Sequence, residues 1–438
     1  MKAFHRILAV GAMTTVAFLG EAETWSLDSC VAYAIGNNID IRQRELNVKN
    51  GELDLTETKD RFLPSVDGSL SQSFNFGRGL TSENTYANRN TSSTQWSVGL
   101  NLPLFQGLAE YRRMDVAKLS IRQYLLDVDA AKDNVALNVI SQYLQVLYCK
   151  EVARSARSQA ELSQFEVERQ KVMIEAGRVA EATLYDLESV AAQDRLQVVT
   201  ADNDIRTALV NLANLLHLKS IEGFDISPLS DAEPPLPSPE QVYSSALGTD
   251  NTLLSARQGV RVAEGNISLA KTGYIPTLSF NAGIGSSYYT VAGWDSESFG
   301  SQMRNNFATY LGFSLRVPIF DGFNTRNSIR RAKLQKLTAE LQVEDRESNL
   351  WKDIRLAYYQ AVGARERYLT SGETLEKAQL SFEATQERFN LGRATQADYE
   401  QAKNNLFKTE IARIQAHYEY LIRLRILLFY SNPSASRK

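Results

Sequence analysis

The sequence predicts a mixed α and β membrane protein built from two similar halves. Three observations predict it. The chain carries a long internal repeat. It holds four runs of period-two alternation, each about ten residues long. It also holds two proline-free stretches of about 67 residues.

The repeat is read directly. Pro103-Leu104-Phe105-Gln106-Gly107 recurs as Pro318-Ile319-Phe320-Asp321-Gly322, a shift of 215 residues. The same shift carries Ala117-Lys118-Leu119 onto Ala332-Lys333-Leu334, Tyr143 onto Tyr358, and Gly177-Arg178 onto Gly392-Arg393. Upstream the shift is 212, taking Ala34, Glu52 and Pro64 onto Ala246, Glu264 and Pro276. A unit of this size is not a solenoid repeat of 20–50 residues but a duplicated half-protein.

Residues 1–22 read as a signal peptide. Lys2 and Arg6 precede the apolar run Ile7 to Leu19, and Gly20 and Ala22 supply small residues for cleavage after either one. Leu27-Asp28-Ser29-Cys30 faintly resembles a lipoprotein acceptor, but Asp28 is wrong for that motif, and a small buried residue at a helix start is the expected role of Cys30. No later segment offers ~20 uninterrupted apolar residues, so a membrane role falls to β structure.

The strands follow. Val66, Leu70 and Phe74 alternate with Asp67, Ser69, Ser71 and Ser73, and Trp96, Val98, Leu100 and Leu102 alternate with Ser97, Gly99 and Asn101. In the second half Leu278, Phe280 and Ile284 alternate with Ser279, Asn281 and Gly283. Phe307, Leu311, Phe313, Leu315, Val317 and Ile319 alternate with Ala308, Gly312 and Ser314. Small polar residues on one face and apolar ones on the other suit a strand between lipid and a wet lumen. A soluble sandwich with one wet face would alternate too. The two hairpins stand alone among long helices, however, and their loops, Gly77 to Asn90 and Tyr289 to Asn306, are long and polar. Four strands cannot close a membrane barrel, which starts at ~8, so several copies must assemble; two, three or more would close in principle.

The helices fill the rest. A run from about Ala109 to Ala176 and its counterpart from about Asn324 to Leu391 would each extend ~100 Å. Their apolar stripes are thin and interrupted, which suits a hollow cylinder better than a solid bundle. Returning helices are expected over 181–218 and 396–430. Shorter ones are expected over Leu27 to Arg61, broken near Gly36-Asn37-Asn38, and over Pro239 to Thr272, broken near Gly248-Thr249-Asp250. The expected organisation is a signal peptide at 1–22, a first repeat at 23–218 with its hairpin at about 65–105, a Pro-rich linker at 219–240, a second repeat at 241–430 with its hairpin at about 277–320, and a tail at 431–438. Five prolines between Pro228 and Pro239 leave the linker without a helical period.

Other classes find little support. A net charge of -3 without a basic stripe points to no nucleic acid. Cys30 and Cys149 form no CxxC, and neither a phosphate loop nor a nucleophile elbow occurs, so no enzyme activity, cofactor or metal is expected.

These features together resemble the TolC-like outer membrane efflux family. Trp25-Ser26-Leu27 with Cys30, Ala34 and Asn37-Asn38 is similar to its opening helix. Phe105-Gln106-Gly107 and Phe320-Asp321-Gly322 are similar to its re-entry from the membrane. Phe389-Asn390-Leu391-Gly392, with Asp398 beyond, is similar to its periplasmic turn. The resemblance covers nearly everything from Trp25 to Tyr430. It implies a homotrimer with a twelve-stranded transmembrane barrel, surrounded by outer membrane lipid and continued by a twelve-helix periplasmic tunnel. It also implies a periplasmic adaptor (membrane fusion) protein and an inner membrane transporter as partners, in efflux or type I secretion.

The same resemblance places function at the tips. Gly177, Arg178, Gly392 and Arg393 would form the adaptor-docking surface, although glycine and a cation at a helix end also serve plain helix termination. Asp398 would ring the tunnel mouth as a gate; the other reading is that Thr395 caps the returning helix with Asp398 at its third position. The chain departs from the family here. Gln401 stands where a second acid is common, Phe389 where a tyrosine is, and Thr183 is the first-half counterpart of Asp398, with Tyr185 and Asp186 a turn further. Two other classes remain: a passive porin, which would have many more strands, and a non-pore coiled-coil spacer, which would have strict heptads and no strand alternation.

Overall fold

A computed structural model describes residues 24–80, 84–177, 179–229 and 234–432. The expected signal peptide, Arg178, part of the linker and residues 433–438 of the tail lie outside the described residues.

The first half opens with β1 (Thr24–Trp25), α1 (Leu27–Asn37) and α2 (Ile39–Asp60). Ser26 caps α1 by accepting the Ser29 amide at 3.2 Å. Asn38 stops α1 and starts α2, its side chain accepting the amides of Asp40 and Ile41 at 2.9 and 3.2 Å. Then come β2 (Ser65–Asn75), β3 (Arg78–Leu80), β4 (Tyr86–Asn88), β5 (Thr91–Gln106), α3 (Ala109–Glu175) and α4 (Ala182–Leu215). The link carries β6 (Asp225–Ile226).

The second half repeats the order with α5 (Pro239–Thr249), α6 (Asn251–Lys271), β7 (Thr277–Val291), α7 (Phe299–Asn305), β8 (Ala308–Arg316), α8 (Asn324–Asn390) and α9 (Gln396–Ser431). Asp250 ends α5 and caps α6 through the Leu253 amide, at the position equivalent to Asn38. Leu108 and Phe323, again equivalent, take left-handed φ values of 64° just before α3 and α8.

The sheet runs β2-β5-β7-β8, antiparallel throughout, so β5 and β7 join the two halves. Leu70 lies opposite Trp96, and Phe280 lies between Leu102 and Phe313. The apolar set thus shares one face, as period two requires. β5 slips its register between Pro103 and Phe105, where proline has no amide to offer the ladder. Two glycines of β7 lie under close neighbours. A Cβ at Gly283 would stand 2.7 Å from the Tyr310 ring, and one at Gly285 would stand 2.7 Å from the Trp96 carbonyl oxygen.

Two expectations from the sequence need correction. The alternation ending at Ile319 outruns β8, which stops at Arg316, because Arg316 already faces Thr277, the first residue of β7. The polar loops carry structure: β3 pairs with β4 in one, while β7 and α7 occupy much of the other. Within the linker, β6 pairs in parallel with β1, Thr24 to Asp225 and Trp25 to Ile226. Tyr143 of α3 secures that pairing by donating its hydroxyl proton to the Ser227 carbonyl at 2.6 Å.

The main apolar core lies where the link crosses the helices. Cys30, Ala34, Ile41, Tyr143, Leu144, Leu212 and Ile226 are all buried there. A second core joins Val242, Leu253, Leu350, Ile354 and Leu427. Beyond these cores toward the tips, buried apolar residues thin to small clusters such as Val167, Leu187 and Ala191. Among the described residues no helix is long and apolar enough to cross a membrane.

Candidate functional site

The tips are built by helix termination. α8 ends at Asn390, and Gly392 takes φ +68°. The Gly392 amide donates to the Phe389 carbonyl at 2.9 Å and the Arg393 amide to the Arg388 carbonyl at 2.7 Å, a complete Schellman motif. Gly177 takes the same φ of +68° after α3, with its amide 2.8 Å from the Ile174 carbonyl. Nothing lies within 4 Å of a Cβ built on either glycine, so the backbone angle, not crowding, is what calls for glycine. Gly177, Gly392 and Arg393 are all exposed.

Asp398 is the third residue of α9 and closes a capping box with Thr395. Its amide donates to the Thr395 hydroxyl at 3.1 Å, and its carboxylate accepts the Thr395 amide at 3.0 Å and hydroxyl at 2.7 Å. Those hydrogen bonds, and then the charge of Arg388, hold its carboxyl below the usual aspartate range. Thr183 does something different in the first half. Its hydroxyl donates to the Ala180 carbonyl at 2.8 Å and accepts Gln170 at 2.6 Å. Asp186 and Gln401 are exposed, and the Tyr185 hydroxyl reaches Glu181 at 3.4 Å.

Phe389 is the one sequence candidate drawn into a packed cluster. Its ring stacks on Tyr399 at 5.0 Å between centroids, and the Arg169 guanidinium lies 5.4 Å above it. Tyr399 is buried and donates to Glu166 at 3.3 Å, while Arg169 pairs with the same carboxylate at 2.6 Å. Burial first, and then the charge of Glu166, raise the Tyr399 phenol.

One turn further along α9, the Lys403 ammonium donates to the Ser163 hydroxyl at 3.0 Å and pairs with Glu400 at 2.6 Å. Ser163 in turn donates to Asp194 of α4, which also accepts Gln159. A polar seam therefore holds α9, from the second half, against α3 and α4, from the first. None of Lys403, Ser163, Glu166 or Asp194 stood out in the sequence. The available signal was spacing: Gln159, Ser163 and Glu166 recur at i, i+4 and i+7, one face of α3, and Tyr399 and Lys403 recur at i and i+4 on α9.

Comparison with known proteins agrees with this architecture. A family model described as outer membrane efflux protein matches residues 31–217 and 242–431. The outer membrane efflux protein BepC of Brucella suis is 24% identical over 405 residues, covering 92% of this chain and 84% of that protein. Outer membrane protein TolC of Vibrio cholerae is 24% identical over 377 residues, covering 84% and 82%. The CmeC outer membrane channel of Campylobacter jejuni superposes with a TM-score of 0.72 at 18% identity, over 92% of this chain and 85% of that one.

Proposed function

The chain belongs to the outer membrane efflux protein family, and from that premise we propose that three copies assemble into one exit duct for efflux or type I secretion. Its place is the outer membrane, and its family is one of channels rather than enzymes.

The observation that carries an assembled duct is the open sheet, and the family is what puts the number of copies at three. Among the described residues edge strands β2 and β8 each lack an outer neighbour, and their Leu70, Phe74, Leu311 and Phe313 are exposed. An open sheet in hydrocarbon would leave a row of unpaired amides and carbonyls at each edge, and closure with further copies removes both edges. Three copies give twelve strands. α3 and α8, each 67 residues long, then continue the wall for ~100 Å into the periplasm.

At the far end the exposed turns at Gly177, Gly392 and Arg393, with Arg178 next in sequence to Gly177, offer a rim for a periplasmic adaptor, which couples the duct to an inner membrane transporter. Asp398, repeated three times around the axis, contributes to closure of the mouth, with Phe389, Gln401, Thr183 and Asp186 beside it at the same end of the helices.

Planar-bilayer recording of the purified protein, with its mass measured in detergent, tests the reading. Discrete conductance from a trimer is expected, and a water-soluble monomer without conductance would overturn it. Asp398→Ala tests the gate separately. If conductance and block by multivalent cations both stay unchanged, Asp398 is only a helix cap.

A further inference from the structure

We propose that an outward stripe at the start of α8, Arg326, Arg330 and Lys333, binds the phosphate headgroups of anionic phospholipid in the periplasmic leaflet of the outer membrane. The inference rests on the duct reading above and adds a lipid site at the base of its barrel.

The stripe begins where the chain leaves the sheet. Ile319 and Phe320, between β8 and α8, are 94% and 74% exposed. Phe320 meets Phe323 edge-on at 5.3 Å between centroids, and the Arg326 guanidinium lies 4.0 Å over the Phe323 ring. An apolar corner therefore passes directly into a cation. Missing neighbours do not explain the exposure. The repeat maps Ile319, Phe320 and Phe323 onto Leu104, Phe105 and Leu108 at the end of β5, which has a strand on each side. Those three are still 48%, 40% and 43% exposed. The corner thus stays open in an assembled wall, at the rim of the apolar band that faces lipid.

The repeat also fixes which way the stripe points. Its counterparts on α3 are Tyr111, Asp115 and Lys118. α3 has a helix on each flank: Val116, Leu119 and Gln123 face glycines of α6, while Ile121 and Tyr124 face Gly51 of α2. At ~100° per residue these two flanks lie about 130° apart around α3. In a tube the narrower arc between a helix's two neighbours is the lumen side, so the wider arc faces out. Tyr111, Asp115 and Lys118 fall near the middle of the wider arc, and all three are exposed. Arg326, Arg330 and Lys333, exposed as well, therefore point away from the lumen.

Charge sets α8 apart from α3. The first turns of α3 are balanced, since Arg112 pairs with Asp115 and Arg113 with Glu110. α8 carries no acid from Asn324 to Ala339. Among the described residues Arg326, Arg330 and Lys333 have no carboxylate partner, whereas Lys336 pairs with Glu264 at 3.0 Å and Glu340 at 3.2 Å. The nearest acid, Asp321, is held by the Thr325 amide at 2.7 Å. Each chain thus offers one basic patch and not two.

The depth of the patch suits a headgroup. Arg326 and Arg330 lie ~6 Å apart along α8, and the polar layer beside the hydrocarbon is ~5–7 Å deep. A guanidinium grips phosphate oxygens through two parallel hydrogen bonds. Lys333, a turn lower, adds charge within the screening distance. Phosphatidylethanolamine would bring its own ammonium to these cations, so a headgroup with net negative charge is favoured.

Native mass spectrometry of the purified full-length oligomer tests the patch. It is titrated with phosphatidylglycerol and, separately, with phosphatidylethanolamine of the same acyl chains. The natural protein should retain phosphatidylglycerol more tightly. The triple variant Arg326→Gln, Arg330→Gln, Lys333→Gln should lose about tenfold or more of that affinity and with it the preference. The matched variant on α3, Arg112→Gln, Arg113→Gln, Lys118→Gln, should keep the preference. Should the triple variant assemble poorly, Arg330→Gln alone should lower retention by an intermediate factor. Equal retention of the two lipids by the natural protein, or a preference that survives the triple variant, would overturn the proposal. Displacement of the lipid by inorganic phosphate would also overturn it, since that marks a plain anion site. If any of these occurs in a trimer that conducts, the lipid patch fails and the duct stands. A monomer without conductance would overturn both.

Discussion

Lys403 of α9, 1% exposed, holds its ammonium 3.0 Å from the Ser163 hydroxyl of α3. With the Tyr399–Glu166 hydrogen bond, this contact ties the second half of the chain to the first close to the tips. Its only ion partner among the described residues is Glu400 on its own helix, so the seam balances its charge locally.

Lys403→Met should therefore weaken the tip more than loss of an ordinary surface lysine would. Glu400 and Ser163 would lose their buried donor, a change of about 3–5 kcal/mol when one member of a buried pair is removed. The apparent unfolding temperature of the protein in detergent should fall clearly, and the double variant Lys403→Met with Glu400→Gln should recover part of the loss. Equal destabilisation in the single and double variants would count against the pairing.

The Thr395–Asp398 box should make the start of α9 sensitive to acid. The folded carboxyl lies below its unfolded value of ~3.9. Its contribution is thus fully present above that value and is lost as pH falls through the lower folded value. Amide exchange near Thr395 should quicken below about pH 4 in the natural protein, while Asp398→Asn should flatten that dependence. Thr395→Ala should cost about 1 kcal/mol at neutral pH.

Gly392→Ala places a Cβ where nothing crowds it but where φ is +68°. The expected penalty is about 1–2 kcal/mol of backbone strain, with Gly392→Asn milder, since asparagine tolerates that region. Thermal scans of the two variants, compared with the same changes at Gly177, check this. Identical stability of the alanine and natural proteins would contradict it.

Gly285→Ala should be worse than Gly283→Ala. At Gly283 the clash is with the Tyr310 ring, which can turn aside, whereas at Gly285 it is with the Trp96 carbonyl, which moves only if β5 moves. A loss of about 1–3 kcal/mol is expected for Gly285→Ala, seen as reduced heat-stable oligomer on gels. Adding Tyr310→Ala should rescue Gly283→Ala and leave Gly285→Ala unchanged.

The broad architecture was legible because each element announces itself through period or punctuation. Alternation from Val66 and from Leu278 marks strands. The absence of proline after Ala109 and Asn324 marks long helices, and the Gly392 and Asn38 chemistry marks turns and breaks. What escaped reading depended on distant partners. β1 and β6 are two residues each, too short for any period. The end of β8 was set by where β7 begins, a fact about its neighbour. Lys403 and Glu166 read as solvated helix charges, and only the docking of α9 on α3 removes them from water. At the candidate site, the role of Asp398 in a capping box followed from its spacing to Thr395. The stacking of Phe389 on Tyr399 could not be read, because neither residue's direction is fixed by its own helix.

The pairing of Thr24 with Asp225 has a kinetic consequence. It closes a loop of roughly 200 residues, an entropic demand of about 4–5 kcal/mol that is met only once the link is in place. A chain crossing a membrane from its N-terminus must therefore deliver its entire first half before its opening strand can dock. The core around that pairing also takes in Phe429 of α9, so it is complete only when the last helix has arrived.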